Sequence, residues 1–241
     1  MSTKEALAVP RIDVSAIAFD LDGTLLDTIH DLAAAVNALL AELGHPPLAQ
    51  DVIGTMIGKG MANLVRRVLA LATDVSPAAV EDSEMKDALV RYQAHYASRL
   101  GRETRSFPGM VDGLARLCAM GVPLAIITNK ATRFVRPHLA QAGIERFFTV
   151  VIGGDDLPTK KPDPGPLLHA AEVFGIPPCR LLMVGDSAND VAAARGAGCP
   201  VLVVPYGYRE GMPVHELEAD GIVASIHAVA DRVRYVTPAR K

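Results

Sequence analysis

Short apolar runs and amphipathic stretches alternate along most of this chain. The runs at 16–19, 124–127, 150–152, 181–184 and 201–204 are brief and rich in branched side chains. Such runs predict strands buried on both faces of a parallel sheet. Between them, apolar positions recur at helical spacing over 110–120, 133–142, 166–174 and 189–197. Strands that alternate with helices predict an α/β fold whose sheet is covered on both sides. One region breaks the alternation. Leu32, Val36, Leu39, Leu40 and Leu43 form one helical stripe, Met61, Leu64, Val65, Val68 and Leu69 a second, and 80–100 a third. Gly44-His45-Pro46-Pro47 and Ser76-Pro77 separate them. About 70 helical residues exceed what one crossover between parallel strands needs. They predict a small helical domain inserted after the first strand, with linkers near Thr28 and at Phe107-Pro108-Gly109. The expected division is a core of 1–27 and 108–241 and a helical cap of 28–107.

Composition narrows the classes of function. Half of the 241 residues are hydrophobic, enough for a sizeable core. The net charge of −3 argues against general affinity for nucleic acid. Three cysteines, with no metal-ligand spacing, predict reduced thiols in the cytoplasm rather than a disulfide framework. No apolar run approaches the roughly 20 residues that span a bilayer, and the first ten residues lack the long apolar stretch of a signal peptide.

In open parallel sheets, ligands bind beyond the carboxyl ends of the strands. Asp20 and Asp22 follow the first strand, and Thr128, Asn129 and Lys130 follow the second. Lys160 and Lys161 lie between the third and fourth. Asp186, Ser187, Asn189 and Asp190 follow the fourth. Carboxylates gathered at one edge repel one another, and a hard divalent cation resolves the conflict. Oxygen ligands without His or Cys point to Mg2+ rather than zinc. A lysine and a hydroxyl beside the cation complete an electrostatic clamp for a phosphoryl group. The i, i+2 pair suits a nucleophile and a general acid/base. Gly23 frees the turn between strand and helix, and Thr24 is placed to cap that helix or to orient Asp22. Of the lysines, Lys161 is expected to serve the chemistry, and Lys160 and Lys130 are not. The seven histidines are scattered and are expected on the surface or in structural positions.

The stretch Asp20-Leu21-Asp22-Gly23-Thr24-Leu25-Leu26-Asp27 resembles the first motif of the haloacid dehalogenase-like hydrolase superfamily. Thr128, Lys161 before Pro162, and Gly185-Asp186-Ser187-Ala188-Asn189-Asp190 resemble its later motifs, in order. The resemblance implies a Rossmann-like core with a helical cap after the first motif. It implies Asp20 as nucleophile and Mg2+ ligand, and Asp22 as acid/base that also binds Mg2+ through its carbonyl. Asp186 becomes a further ligand. Thr128, Asn129 and Lys161 hold phosphate, and Asp190 orients Lys161 or a metal-bound water. Members that cleave carbon–halogen bonds lack the second aspartate, because a halide leaves without a proton. Asp22 therefore favours phosphate monoesters.

Within the superfamily, Ile57-Gly58-Lys59-Gly60, Phe107-Pro108-Gly109, Lys161-Pro162-Asp163-Pro164 and the stretch from Tyr206 to His215 resemble bacterial phosphoglycolate phosphatases. That likeness implies 2-phosphoglycolate as substrate, with Lys59 or Arg66 meeting its carboxylate. Lys59 departs from the small polar residue expected there. The alternative is a sugar phosphomutase of the β-phosphoglucomutase kind, or another small-metabolite phosphatase of the same family. The expected partner is a small phosphorylated metabolite, with no nucleic acid and no membrane, bound by a monomer or homodimer.

Overall fold

The computed structural model describes residues 11–238. The stretch 1–10, where the sequence lacks a long apolar run, lies outside them. In chain order the elements begin with strands β1 (Ile12–Val14), β2 (Ala16–Phe19) and β3 (Leu26–Asp27). Helices α1 (Ile29–Glu42), α2 (Gln50–Gly54), α3 (Met61–Ala72) and α4 (Asp82–Arg99) follow. Then come β4 (Arg105–Ser106), α5 (Met110–Ala119), β5 (Leu124–Ile127), α6 (Thr132–Gln141), β6 (Val150–Ile152) and α7 (Gly165–Phe174). The chain continues through β7 (Leu181–Gly185), α8 (Ala188–Ala197), β8 (Val201–Val203), β9 (Gly221–Ile222), α9 (Ile226–Arg232) and β10 (Val233–Tyr235).

The main sheet has the order β6-β5-β2-β7-β8-β9, and every pairing in it is parallel. Strands β2, β5, β7 and β8 are buried along their whole length, as continuous apolar runs demand when helices cover both faces. The chain winds outward from β2 through β5 to β6, then crosses back to β7 and winds the other way. That reversal puts the switch point, where open sheets form their crevice, beside the end of β2.

Helices α1 to α4 occupy the stretch between β3 and β4. Their apolar stripes bury Leu39, Leu40, Val65, Leu69, Tyr92 and Tyr96 in a cluster of their own, into which Phe134 of α6 reaches. The entry and exit of this helical stretch are tied by an antiparallel pair, Leu26 opposite Ser106 and Asp27 opposite Arg105.

The differences from the periodicity are small and local. Predicted and observed helix ends agree within one residue at α6, α7 and α8. Strands β1, β9 and β10 carry no signal in the apolar pattern, because two or three residues cannot establish a period. β1 and β10 pair with each other, in parallel, outside the main sheet.

Candidate active site

Each loop of the site leaves a strand buried on both faces, so its first residues are fixed by the sheet. Asp20 directly follows β2, and its N–H donates to Val184 O of β7 at 3.0 Å. Thr128 follows β5, and its N–H donates to Ile152 O of β6 at 3.0 Å. Asp186 follows β7, and Asp190 lies in the first turn of α8.

Lys161 stands at the centre. Its Nζ donates to Asp190 Oδ1 at 2.6 Å and lies 2.9 Å from Asp20 Oδ1. The second contact is one of charge only, since Asp20 Oδ1 is buried and takes no hydrogen bond. Asp190 is fully committed. Its Oδ2 accepts from the Asp186 N–H, the Ser187 N–H and the Ser187 hydroxyl at 3.2, 3.0 and 2.7 Å. Asp186 accepts from the Thr24 hydroxyl at 2.7 Å and from the Tyr208 N–H at 2.5 Å. Thr24, expected to cap a helix or orient Asp22, is turned to Asp186 instead. Two glycines make room for Asp186. A Cβ at Gly207 would lie 2.2 Å from its Oδ2, and one at Gly23, where φ is +90°, would lie 2.6 Å from the same atom. No L side chain fits at either place.

The charges are unevenly balanced. Burial pushes Asp20 up, Lys161 pulls it back, and it titrates near 6. Burial, with Asp190 and Asp20 nearby, lifts Asp186 well above the usual carboxylate range. Burial disfavours the Lys161 ammonium, but Asp190 and Asp20 outweigh it and hold the amine above its ordinary value. Oxygens of Asp20, Asp186 and Asp190 converge within 4.8 Å of one another, a group that could hold a metal ion. The donor set is all oxygen, the carboxylates are crowded, and Asp20 offers an orphaned buried oxygen. These properties fit a hard divalent cation.

Asp22 faces a different neighbourhood. Lys130 Nζ donates to its two oxygens at 2.9 and 3.1 Å and to the Tyr96 hydroxyl of α4 at 2.5 Å. Burial would raise Asp22, yet the Lys130 charge, then His138, hold it below the ordinary value. Lys130, expected to lie outside the chemistry, is buried and in contact with Asp22. Nothing in its local sequence marks it, because both partners come from distant segments.

A cleft opens between the strand ends and the helices. It is lined by Asp20, Asp22, Thr128, Asn129 and Lys130 on one wall, and by Leu32, Ile57, Gly58, Gly60, Met61 and Leu64 on the other. The Thr128 oxygen accepts from the Lys130 N–H at 3.3 Å, which leaves its hydrogen free. Asn129, expected to hold phosphate, is bound elsewhere in this structure. Both amide hydrogens are spent on Gly58 O at 2.9 Å and Lys161 O at 2.8 Å, so the side chain ties the helical loop to the lysine loop. Arg66 is not brought to the cleft. Its guanidinium donates to Val80 O and to Asp82, both at 3.0 Å. Lys59 pairs with Glu210 at 2.9 Å, and Arg67 reaches the same oxygen at 3.4 Å.

The loop after β8 went unread in the sequence as part of the site's frame. The Tyr208 hydroxyl accepts from the N–H groups of Thr28 and Ile29 and donates to Asp27 Oδ1 at 2.7 Å. Its backbone holds Asp186, so one residue joins the acidic cluster to the start of the helical stretch. The only local hint is the Tyr206-Gly207-Tyr208 triplet.

Known proteins resemble this chain over most of its length. A family model for haloacid dehalogenase-like hydrolases matches residues 17–204. The phosphoglycolate phosphatase of Thiobacillus denitrificans is 47% identical over 219 residues, 91% of this chain and 95% of that protein. That of Nitrosospira multiformis is 48% identical, over 90% of this chain and 94% of its own. Among solved structures, a "predicted phosphoglycolate phosphatase" from Haemophilus somnus superposes with a TM-score of 0.84 at 34% identity, covering 89% of this chain and 95% of its own. CbbY from Rhodobacter sphaeroides, solved in complex with phosphate, gives 0.72 at 26% identity, covering 89% and 95%.

Proposed function

Because this chain belongs to the haloacid dehalogenase-like hydrolase family, we propose that it hydrolyses 2-phosphoglycolate to glycolate and orthophosphate through an aspartyl-phosphate on Asp20. The observation that carries the reading is the Asp20–Lys161–Asp190 cluster, whose Asp20 lines a cleft together with Asp22. The names borne by relatives that match over most of their length support the choice of ester.

Asp20 attacks phosphorus in line with the leaving oxygen. Lys161 offsets the charge of Asp20 and draws a phosphoryl oxygen toward it. The free hydrogen of Thr128 holds another. Charge of this kind, fixed in advance and shielded from water, is worth most where negative charge accumulates. Asp22, two residues on, takes up the proton of the phosphoester monoanion and passes it to the departing alkoxide. As a carboxylate it then takes a proton from the water that attacks the aspartyl-phosphate. Asp20, Asp186 and the carbonyl of Asp22 are the groups that would hold Mg2+, which supplies positive charge to the transferring phosphoryl group. Asp190 keeps Lys161 in place. The helical residues 28–107 act as a cap over a core of 1–27 and 108–241, and the cap wall shapes the space for the leaving group. Among the described residues no helix is long and apolar enough to cross a membrane.

The test is orthophosphate release from a panel of small phosphate esters by purified protein with Mg2+. 2-Phosphoglycolate is expected to give the highest kcat/KM. An isomerised sugar phosphate without net release would favour the mutase, and no release from any ester would end the reading.

A further inference from the structure

A carboxylate-bearing ester brings two anions into one cleft. The phosphoryl group has Thr128 and Lys161. The carboxylate needs a cation of its own, because a charge moved out of water without a partner is costly. Nearby cations are committed elsewhere. Lys59 and Arg67 pair with Glu210, Arg66 pairs with Asp82, and Lys160 donates to Lys59 O at 3.1 Å. Lys161 is held between Asp20 and Asp190. Among the residues that line the cleft, Lys130 is the one with a positive charge.

Lys130 has three ammonium hydrogens. Tyr96 takes one at 2.5 Å, and Asp22 takes the rest at 2.9 and 3.1 Å. That arrangement cannot persist through the reaction. When Asp22 turns to the leaving oxygen, Lys130 gives up a partner in a buried place. In a two-carbon ester one methylene separates the leaving oxygen from the carboxylate. A substrate whose leaving oxygen meets Asp22 therefore delivers its carboxylate beside Lys130. The apolar wall of Leu32, Ile57, Met61 and Leu64 offers neither charge nor hydrogen bond to compete.

From this exchange of one carboxylate for another we propose that Lys130 is the residue that selects phosphorylated hydroxy acids, by pairing with their carboxylate. The inference rests on the reading above and assigns its specificity to one side chain, in place of Lys59 or Arg66.

The experiment compares kcat/KM for 2-phosphoglycolate with that for ethyl phosphate, which keeps the two-carbon ester and lacks the carboxylate. Wild type, Lys130→Met, Lys130→Gln and Lys130→Arg are measured with Mg2+. Lys130 also holds Asp22, so both rates are expected to fall in the uncharged variants, and the ratio decides. The preference for 2-phosphoglycolate should shrink by about 100-fold in Lys130→Met, the loss of one partner from a buried charge pair. Lys130→Arg should restore part of it. Lys130→Gln keeps a donor for Asp22 without the charge, and supplies the ratio should the Met variant fail to fold. If wild type prefers 2-phosphoglycolate and the neutral variants keep that preference, Lys130 only positions Asp22 and the inference falls alone. A wild type indifferent to the carboxylate overturns both this inference and the substrate reading.

Discussion

The two walls of the cleft are held by different physics. On the core wall, Lys161, Asp186 and Asp190 are buried, and Asp20 is nearly so. Each is fixed by partners that arrive from separate strand ends. On the helical wall, the charged residues Lys59, Arg66 and Arg67 keep 46%, 31% and 29% of their side chains exposed, and their partners lie outside the cleft. What that wall turns toward the substrate is mostly apolar. The contrast places the buried charges at the sheet edge and the apolar lining of the cleft on a separate layer of helices. Lys130 bridges the two, since it sits on the core loop and is held by Tyr96 of α4.

If the core wall carries the chemistry, its removal costs most. Asp20→Asn keeps the shape of the side chain and loses the nucleophile, so kcat should drop by about 10^4 or more, as when other covalent nucleophiles are removed. Steady-state orthophosphate release would show it, and a variant within tenfold of wild type would contradict the account. Next is Lys161→Met. It leaves Asp20 and Asp190 facing each other without a cation. Urea denaturation at neutral pH should lose about 3–5 kcal/mol, the cost of breaking a buried pair from one side. A midpoint equal to wild type would mean that this wall is not locked by charge.

The seam between the walls gives a third test. Asp31 of α1 and Thr104 meet His138 of α6, whose Nε2 lies 2.9 Å from the Thr104 hydroxyl, which donates to Asp31 at 2.8 Å. Burial, and then the Lys130 charge, push His138 down from 6.5 to about 4. The unfolded chain takes up a proton that the folded chain refuses. Stability is therefore lost as pH falls from about 6.5 toward 4, by on the order of 3 kcal/mol over the whole window. In His138→Gln that part of the slope should vanish from urea midpoints measured across the window. An undiminished slope would place the titration elsewhere. The smallest effect belongs to the helical wall. Arg66→Ala breaks a largely solvated pair and should change stability by less than about 1 kcal/mol, with orthophosphate release unaltered. A large loss of activity would return Arg66 to the site.

The same contrast explains what the sequence could reveal. Strands buried on both faces write themselves as apolar runs, so β2, β5, β7 and β8 were legible. So was the acidic edge, because Asp20 and Asp22, or Asp186 and Asp190, lie close together along the chain. Contacts between distant segments left no local trace. Lys130 meets Asp22 across 108 positions, and Thr24 meets Asp186 across 162. The fate of Lys59 depends on Glu210, 151 positions away, and no reading of the Gly58-Lys59-Gly60 loop could foresee it. Asn129 looked like a phosphate donor because it follows Thr128, and only the fold reveals two carbonyls claiming its amide.

The central claim is that phosphoryl transfer passes through Asp20. It is tested most directly by quenching Asp22→Asn protein during turnover of 32P-labelled 2-phosphoglycolate with Mg2+, reducing with borohydride, and mapping the modified peptide by mass spectrometry. Loss of the acid/base slows breakdown of the intermediate more than it alters the nucleophile. The account predicts protein-bound label before reduction and, after reduction with loss of the phosphate, conversion of Asp20 to homoserine in the mapped peptide. Turnover without protein-bound phosphate, or label on Ser187 in place of Asp20, would contradict it.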